Sequence, residues 1–167
     1  MKKFCLILVF LLNAINSVKA SEIKADPTLI ITTLDGKNFD LKEKRGKVVI
    51  VNFWAKWCVD CRKEMVILDE IYREYKSRNL EIIGINIGRK REREKVLEFS
   101  SSLSYPNAMF IDAKETSFEE PNAIPVSYVI NKDGKLFKKI SADDVKLTKQ
   151  DFENILKPLL KNLESSY

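Results

Sequence analysis

An α/β sandwich built on a mixed sheet is the fold this sequence predicts, and three observations carry the prediction. Lys47-Val48-Val49-Ile50-Val51-Asn52-Phe53 is almost wholly β-branched or aromatic, as in a strand buried on both faces. Met65, Leu68, Ile71, Tyr72 and Tyr75 then recur at helical spacing, which predicts a helix from about Cys58 to Ser77. Leu80 to Ile87 returns to an apolar strand, so strand, helix and strand follow one another as in a βαβ unit.

The remaining elements fit around that unit. Thr28 to Leu34 is β-rich, Asp35-Gly36 is a turn, and Lys37 to Leu41 returns, which predicts a leading hairpin. Arg89 to Ser100 is charged but reads as a helix with Val96, Leu97 and Phe99 as its inner side. Met109-Phe110-Ile111 is a short strand. Val126 to Ile130 is a longer one, turned by Asp133-Gly134 into Lys135 to Ile140 as a second hairpin. Thr148 with Asp151 three residues later marks an N-cap for a closing helix carrying Phe152, Ile155, Leu156, Leu159 and Leu160. Pro158 is expected to kink that helix or mark where it frays.

At 167 residues, with 45% hydrophobic and 32% charged residues, the chain is long enough for one compact domain and is neither a disordered tail nor a polytopic membrane protein. It contains no histidine, which excludes Ser-His-Asp and Cys-His mechanisms and every His-ligated metal site. The first twenty residues have the form of a secretory signal peptide: Met1-Lys2-Lys3, an apolar run from Phe4 to Leu12, then Val18-Lys19-Ala20. The alternative is an uncleaved anchor, but the run is nine residues, Asn13 and Asn16 interrupt its extension, and a spanning helix needs roughly 20. Cleavage is expected after Ala20, leaving residues 21–167 as one domain in the periplasm or outside the cell. The leader holds Lys2, Lys3 and Lys19 and no acid, so its removal lowers the net charge from +5 to +2. The basic balance is thus mainly a targeting feature and gives no ground for nucleic-acid binding.

Cys5 leaves with the leader, so Cys58 and Cys61 remain where thiols are generally oxidised. A bridge closing so small a loop would constrain the unfolded chain little. The pair sits where a buried strand ends and a helix begins. Unpaired amide N–H groups and partial positive charge gather there. A free thiol near pKa ~8.5 can fall to ~7 or lower in such a place, which favours Cys58 as the nucleophile. Cys61, one turn further in, is placed to resolve a mixed disulfide on Cys58. Metal binding is the rival reading, but zinc usually takes four Cys or His ligands and this chain offers no histidine and no third mature cysteine. No metal and no cofactor is expected.

The run from Val48 to Cys61, Phe-Trp-Ala-x-Trp-Cys-x-x-Cys after an apolar strand, resembles the thioredoxin fold, and within it the exported TlpA/ResA/CcmG-like branch. The resemblance covers about residues 28–163. Cys61-Arg62-Lys63-Glu64-Met65 continues as that branch does, a charged αβ insertion lies between Leu80 and about Ile111, and Ile124-Pro125-Val126 leads into a strand and hairpin. The resemblance implies a mixed central sheet flanked by helices, with an N-terminal β-hairpin and the central αβ insertion. It also implies a cis Pro125 facing the cysteines, whose neighbour Ile124 pairs by its backbone with a substrate peptide; the ordinary alternative is a trans turn. Asn52 stands where cytoplasmic thioredoxins carry a buried Asp, and an amide does not titrate. Glu64 is the candidate for that proton-handling role, against the plain alternative of a solvated glutamate favoured by the helix dipole. Trp57 is expected as a surface platform for a protein partner and Trp54 as packing. Arg62, Lys63 and the charged cluster Arg89 to Lys95 read as solvated helix faces.

Two positions depart from the branch: Asp60 replaces a common Pro before the second cysteine, and Val66 replaces a helix-kinking Pro. An anion between the cysteines should oppose thiolate formation and make the protein more reducing, with Arg62 and Lys63 working against it. The implied activity is thiol–disulfide oxidoreduction, with Cys58/Cys61 reducing disulfides of selected exported proteins in cytochrome c maturation or copper-site assembly. A membrane thiol donor would regenerate the dithiol, and the membrane would otherwise be met only through an uncleaved leader. The rivals are an oxidase or isomerase of the same fold, or a metal-carrying thioredoxin-like binding module. A peroxiredoxin is disfavoured, because the cysteine sits in CxxC after a Trp with no separate peroxidatic loop.

Overall fold

A computed structural model describes residues 26–141 and 148–161. The leader, Cys5 and the expected cleavage after Ala20 lie outside the described residues. Among the described residues, seven strands form one mixed sheet: β1 (Leu29–Thr33), β2 (Asn38–Asp40), β3 (Val48–Trp54), β4 (Leu80–Asn86), β5 (Asn107–Thr116), β6 (Val126–Ile130) and β7 (Leu136–Ser141). Three α-helices accompany them: α1 (Val59–Tyr75), α2 (Arg93–Ser100) and α3 (Lys149–Leu160). The spatial order is β2-β1-β5-β4-β3-β6-β7. β3, β4 and β5 run parallel, and β1, β2, β6 and β7 add as antiparallel neighbours. The expected mixed sheet with a leading hairpin and an inserted αβ segment is the observed one.

β3 lies in the interior of the sheet, and all seven of its residues are buried. Its alternation sends Val48 and Ile50 toward α1 and α3, where Leu68, Ile71, Phe152 and Leu156 meet them. Val49, Val51 and Phe53 face the other way, against Leu29, Ile31, Phe39, Tyr128 and Phe118. Each such aliphatic or aromatic side chain contributes about 1.5–3 kcal/mol by leaving water. Both predicted Asp-Gly turns form, and each glycine takes positive φ, Gly36 at +82° and Gly134 at +80°, where a Cβ would be strained.

α3 starts on a reciprocal capping box: the Thr148 hydroxyl accepts from the Asp151 amide at 3.3 Å, and Asp151 accepts from the Thr148 amide at 2.8 Å. Pro158 sits inside the last turn, and the helix ends at Leu160 with the Lys161 amide still donating to the Lys157 carbonyl.

Three expectations need correction. The strand expected at Met109–Ile111 extends over ten residues, because its charged second half pairs with β1 on a partly solvated stretch. The helix expected from Arg89 opens as a 3-10 turn at Lys90–Glu92 and becomes α-helical only at Arg93. With that phase Val96 points inward, whereas Leu97, expected inside, is 43% exposed.

Candidate active site

β3 delivers the chain into the site. Its last residue, Trp54, is fully buried and donates its indole N–H to Asn107 Oδ1 at 3.1 Å. Gly84 on neighbouring β4 leaves room for that contact: a Cβ there would lie 2.1 Å from Asn107 Oδ1 and 3.1 Å from Trp54 Nε1. Trp54 packs with Ala55, Met65, Val96 and Met109 into a floor that also takes in Cys58 and Cys61.

Cys58 is the N-cap of α1, and its sulfur accepts from the Cys61 amide at 3.1 Å. It therefore sits on the unpaired N–H groups of the helix start. The two sulfurs are bonded at 2.11 Å with Cα atoms 5.3 Å apart. They differ in access: Cys58 is 8% exposed and Cys61 is 0% exposed. Opposite them the Ile124–Pro125 peptide bond is cis, and the Ile124 carbonyl oxygen lies 3.9 Å from Cys58 Sγ. Trp57, 70% exposed, and Val59, 54% exposed, form an apolar rim beside the disulfide.

Glu64 lies one turn beyond Cys61 and is half-buried against the sheet. Its Oε1 accepts from Asn52 Nδ2 at 2.9 Å and from Ser127 Oγ at 2.8 Å, and Asn52 Nδ2 also donates to Ser127 Oγ at 2.9 Å. Burial pushes the Glu64 carboxyl above the usual carboxylate range, and the Ser127 hydroxyl opposes this only in part. The alternative of a fully solvated first-turn glutamate does not describe this geometry. Asp60 is exposed and paired with Lys63 Nζ at 2.9 Å, so the anion between the cysteines has a cation on it. Among the described residues there is no cluster of three or more Cys, Asp or Glu suited to hold a metal.

The structure thus brings together Cys58, Cys61, Glu64, Trp57, Ile124 and Pro125 on one end of the sheet. Sequence reasoning missed Ser127, and it read Asn52 only as a group unable to titrate. Their signal was present: each is a lone polar residue in a strand otherwise apolar, and a polar side chain buried there needs a partner.

A dithiol–disulfide pair at the start of a helix, opposite a cis-proline and over a mixed α/β sheet, defines a thiol–disulfide oxidoreductase of the thioredoxin fold. The chain belongs to the Redoxin family, whose profile matches residues 16–156. It is similar to the thiol-disulfide oxidoreductase ResA of a Bacillus cereus strain, 33% identical over 136 residues that cover 81% of this chain and 77% of the relative. ResA of Bacillus subtilis (strain 168) is 27% identical over 138 residues, covering 83% and 77%. Among solved structures, a thiol:disulfide interchange protein of Chlorobium tepidum TLS superposes with a TM-score of 0.68 at 27% identity, covering 84% of this chain and 98% of that one.

Proposed function

We propose that this oxidoreductase is exported and works as a reductant of specific protein disulfides, of the cytochrome c maturation or copper-site assembly type. The observation that carries the direction of attack is the unequal access of the two sulfurs: Cys58 keeps 8% of its surface open to solvent and Cys61 keeps none. In the reduced protein the Cys58 thiolate attacks one sulfur of a client disulfide. That bond breaks, the client's other sulfur leaves with the electron pair, and a mixed disulfide remains on Cys58. Cys61, deprotonated, then attacks Cys58, closing the intramolecular disulfide and releasing the second client thiol. Glu64 takes the Cys61 proton and returns it to the departing sulfur, a task suited to a carboxyl held above its ordinary range. Trp57, Ile124 and Pro125 form the face that receives the client peptide, and a membrane thiol donor regenerates the dithiol.

The name of a similarly folded protein from Corynebacterium glutamicum describes it as secreted, which supports an exported setting together with the basic and apolar residues 1–20. The domain is then residues 21–167. No helix among the described residues is long and apolar enough to cross a membrane.

Trapping tests the assignment. Cys61→Ser should accumulate a mixed disulfide between Cys58 and its client, visible as a reductant-sensitive adduct whose partner is identified by mass spectrometry. Cys58→Ser should trap little. Equal trapping by the two variants would reverse the roles given to the two sulfurs.

A further inference from the structure

We propose that Asn52 and Ser127 are positioning residues that grip Glu64 by a single carboxylate oxygen, Oε1, and leave Oε2 to carry the exchanging proton. The inference rests on the reading of Glu64 as the proton-handling group and adds to it the two residues that hold it.

The grip is built into the sheet. Asn52 and Ser127 are directly opposed partners in the antiparallel β3–β6 ladder, so backbone register, not side-chain chance, places their polar ends side by side beneath α1. Both are fully buried, at 0% exposure. The three contacts of 2.8, 2.9 and 2.9 Å close a triangle between Glu64 Oε1, Ser127 Oγ and Asn52 Nδ2. An amide nitrogen has two protons and a hydroxyl has one. Here one amide proton goes to Oε1, the other to Oγ, and the hydroxyl proton goes to Oε1, so every donor is used and Oε1 receives two. Protonating Oε1 would require displacing one of those donors. Oε2 has no such hydrogen bond among the described residues.

The contact with Glu64 Oε1 sets the sense of the amide, because a carboxylate oxygen calls for a donor. Asn52 Oδ1 is buried with no hydrogen-bond partner. A buried acceptor left unpaired is costly, and the opposite amide orientation would set that oxygen against the carboxylate oxygen instead. The amide is therefore committed as a donor. The groups facing Glu64 are few. β3 and β6 present neutral Asn52 and Ser127, and β7 contributes apolar Ile140 beside Ser127. Tyr105, in the segment before β5, feels the charges of Glu64 and Asp69, and the cysteine pair lies on the same helix as Glu64. No cation neutralises the carboxylate among the described residues, so the two neutral donors are what stabilise its ionised form.

The proton count is simple. Cys61 S–H gives its proton to Glu64 Oε2. The resulting thiolate attacks Cys58, the Cys58–client bond breaks, and the electron pair leaves with the client sulfur, which takes the proton back from Oε2. No further oxidant or reductant enters.

The test is a carboxyl-carbon NMR titration of Glu64 in the reduced full-length protein, beside the pH profile of single-turnover reduction of a model protein disulfide. Ser127→Ala removes a donor to the carboxylate and should raise the Glu64 midpoint by about one pH unit. Ser127→Thr keeps the hydroxyl and should restore it. Asn52→Ala should shift the midpoint the same way and serves as the test should Ser127→Ala fail to fold. A midpoint unmoved in a folded variant overturns the grip. A midpoint that moves while the rate profile stays fixed preserves the grip and overturns the proton-handling reading of Glu64. A profile moving with the midpoint supports both.

Discussion

Glu64 is held where its charge is costly, and that has a measurable consequence for stability. Its folded pKa is raised by burial. From about pH 4 upward the unfolded chain releases this proton while the folded chain keeps it, until pH passes the raised folded value. The folded state binds more protons in that window. The stability this group contributes is therefore intact below the unfolded value and is lost as pH rises through the window. Glu64→Gln should remove that slope. Urea unfolding across the acid-to-neutral range checks it: the variant should gain relative to the parent as pH rises, and a parallel pair of curves would contradict the assignment. The same residue shows what a linear sequence makes legible. Glu64 could be proposed from its spacing to Cys61, one helical turn away. Its partners could not, because Asn52 and Ser127 are 75 residues apart and meet only through the β3–β6 register.

β3, α1 and β4 were readable because burial on both faces, helical spacing of apolar residues and turn chemistry all agreed. β5 was readable only in part. Asp112, Lys114 and Glu115 disguise a strand whose outer half meets β1 at a partly solvated, irregular register. α2 was misphased for a related reason: with so many charges between Arg89 and Lys95, two or three apolar residues define the inner face, and a late helix start rotates it. The contact between β4 and β3 carries its own prediction. Gly84→Ala would drive a Cβ into Asn107 and against Trp54, breaking the indole hydrogen bond beneath the cysteines. A loss of about 2–4 kcal/mol in chemical denaturation is expected, with Trp54 fluorescence reporting the altered floor. A variant as stable as the parent would show that the floor can yield.

Across the whole molecule, redox state and folding are linked. A protein that acts as a reductant must hold its own disulfide more stably than its dithiol, so oxidation should raise resistance to unfolding. The loop closed by Cys58 and Cys61 is short, and chain entropy alone limits the gain to about 2 kcal/mol. Thermal unfolding of the two forms should place the oxidised protein several degrees higher. A dithiol form more stable than the disulfide form would point to an oxidase and overturn the proposed direction. The sheet's outer strands are short or charged. β2 is three residues long, and β7 carries Lys138 and Lys139, so neither edge offers a long apolar template for self-association.

The strand order also bears on how the sheet can assemble. β1 finds β2 immediately, but its other neighbour is β5, so Leu29 must wait for Thr116 before the hairpin is joined to the sheet. A lone two-stranded hairpin is marginal in water. On a chain crossing the membrane amino end first, β3, α1 and β4 therefore have the means to condense before the leading hairpin meets its second neighbour.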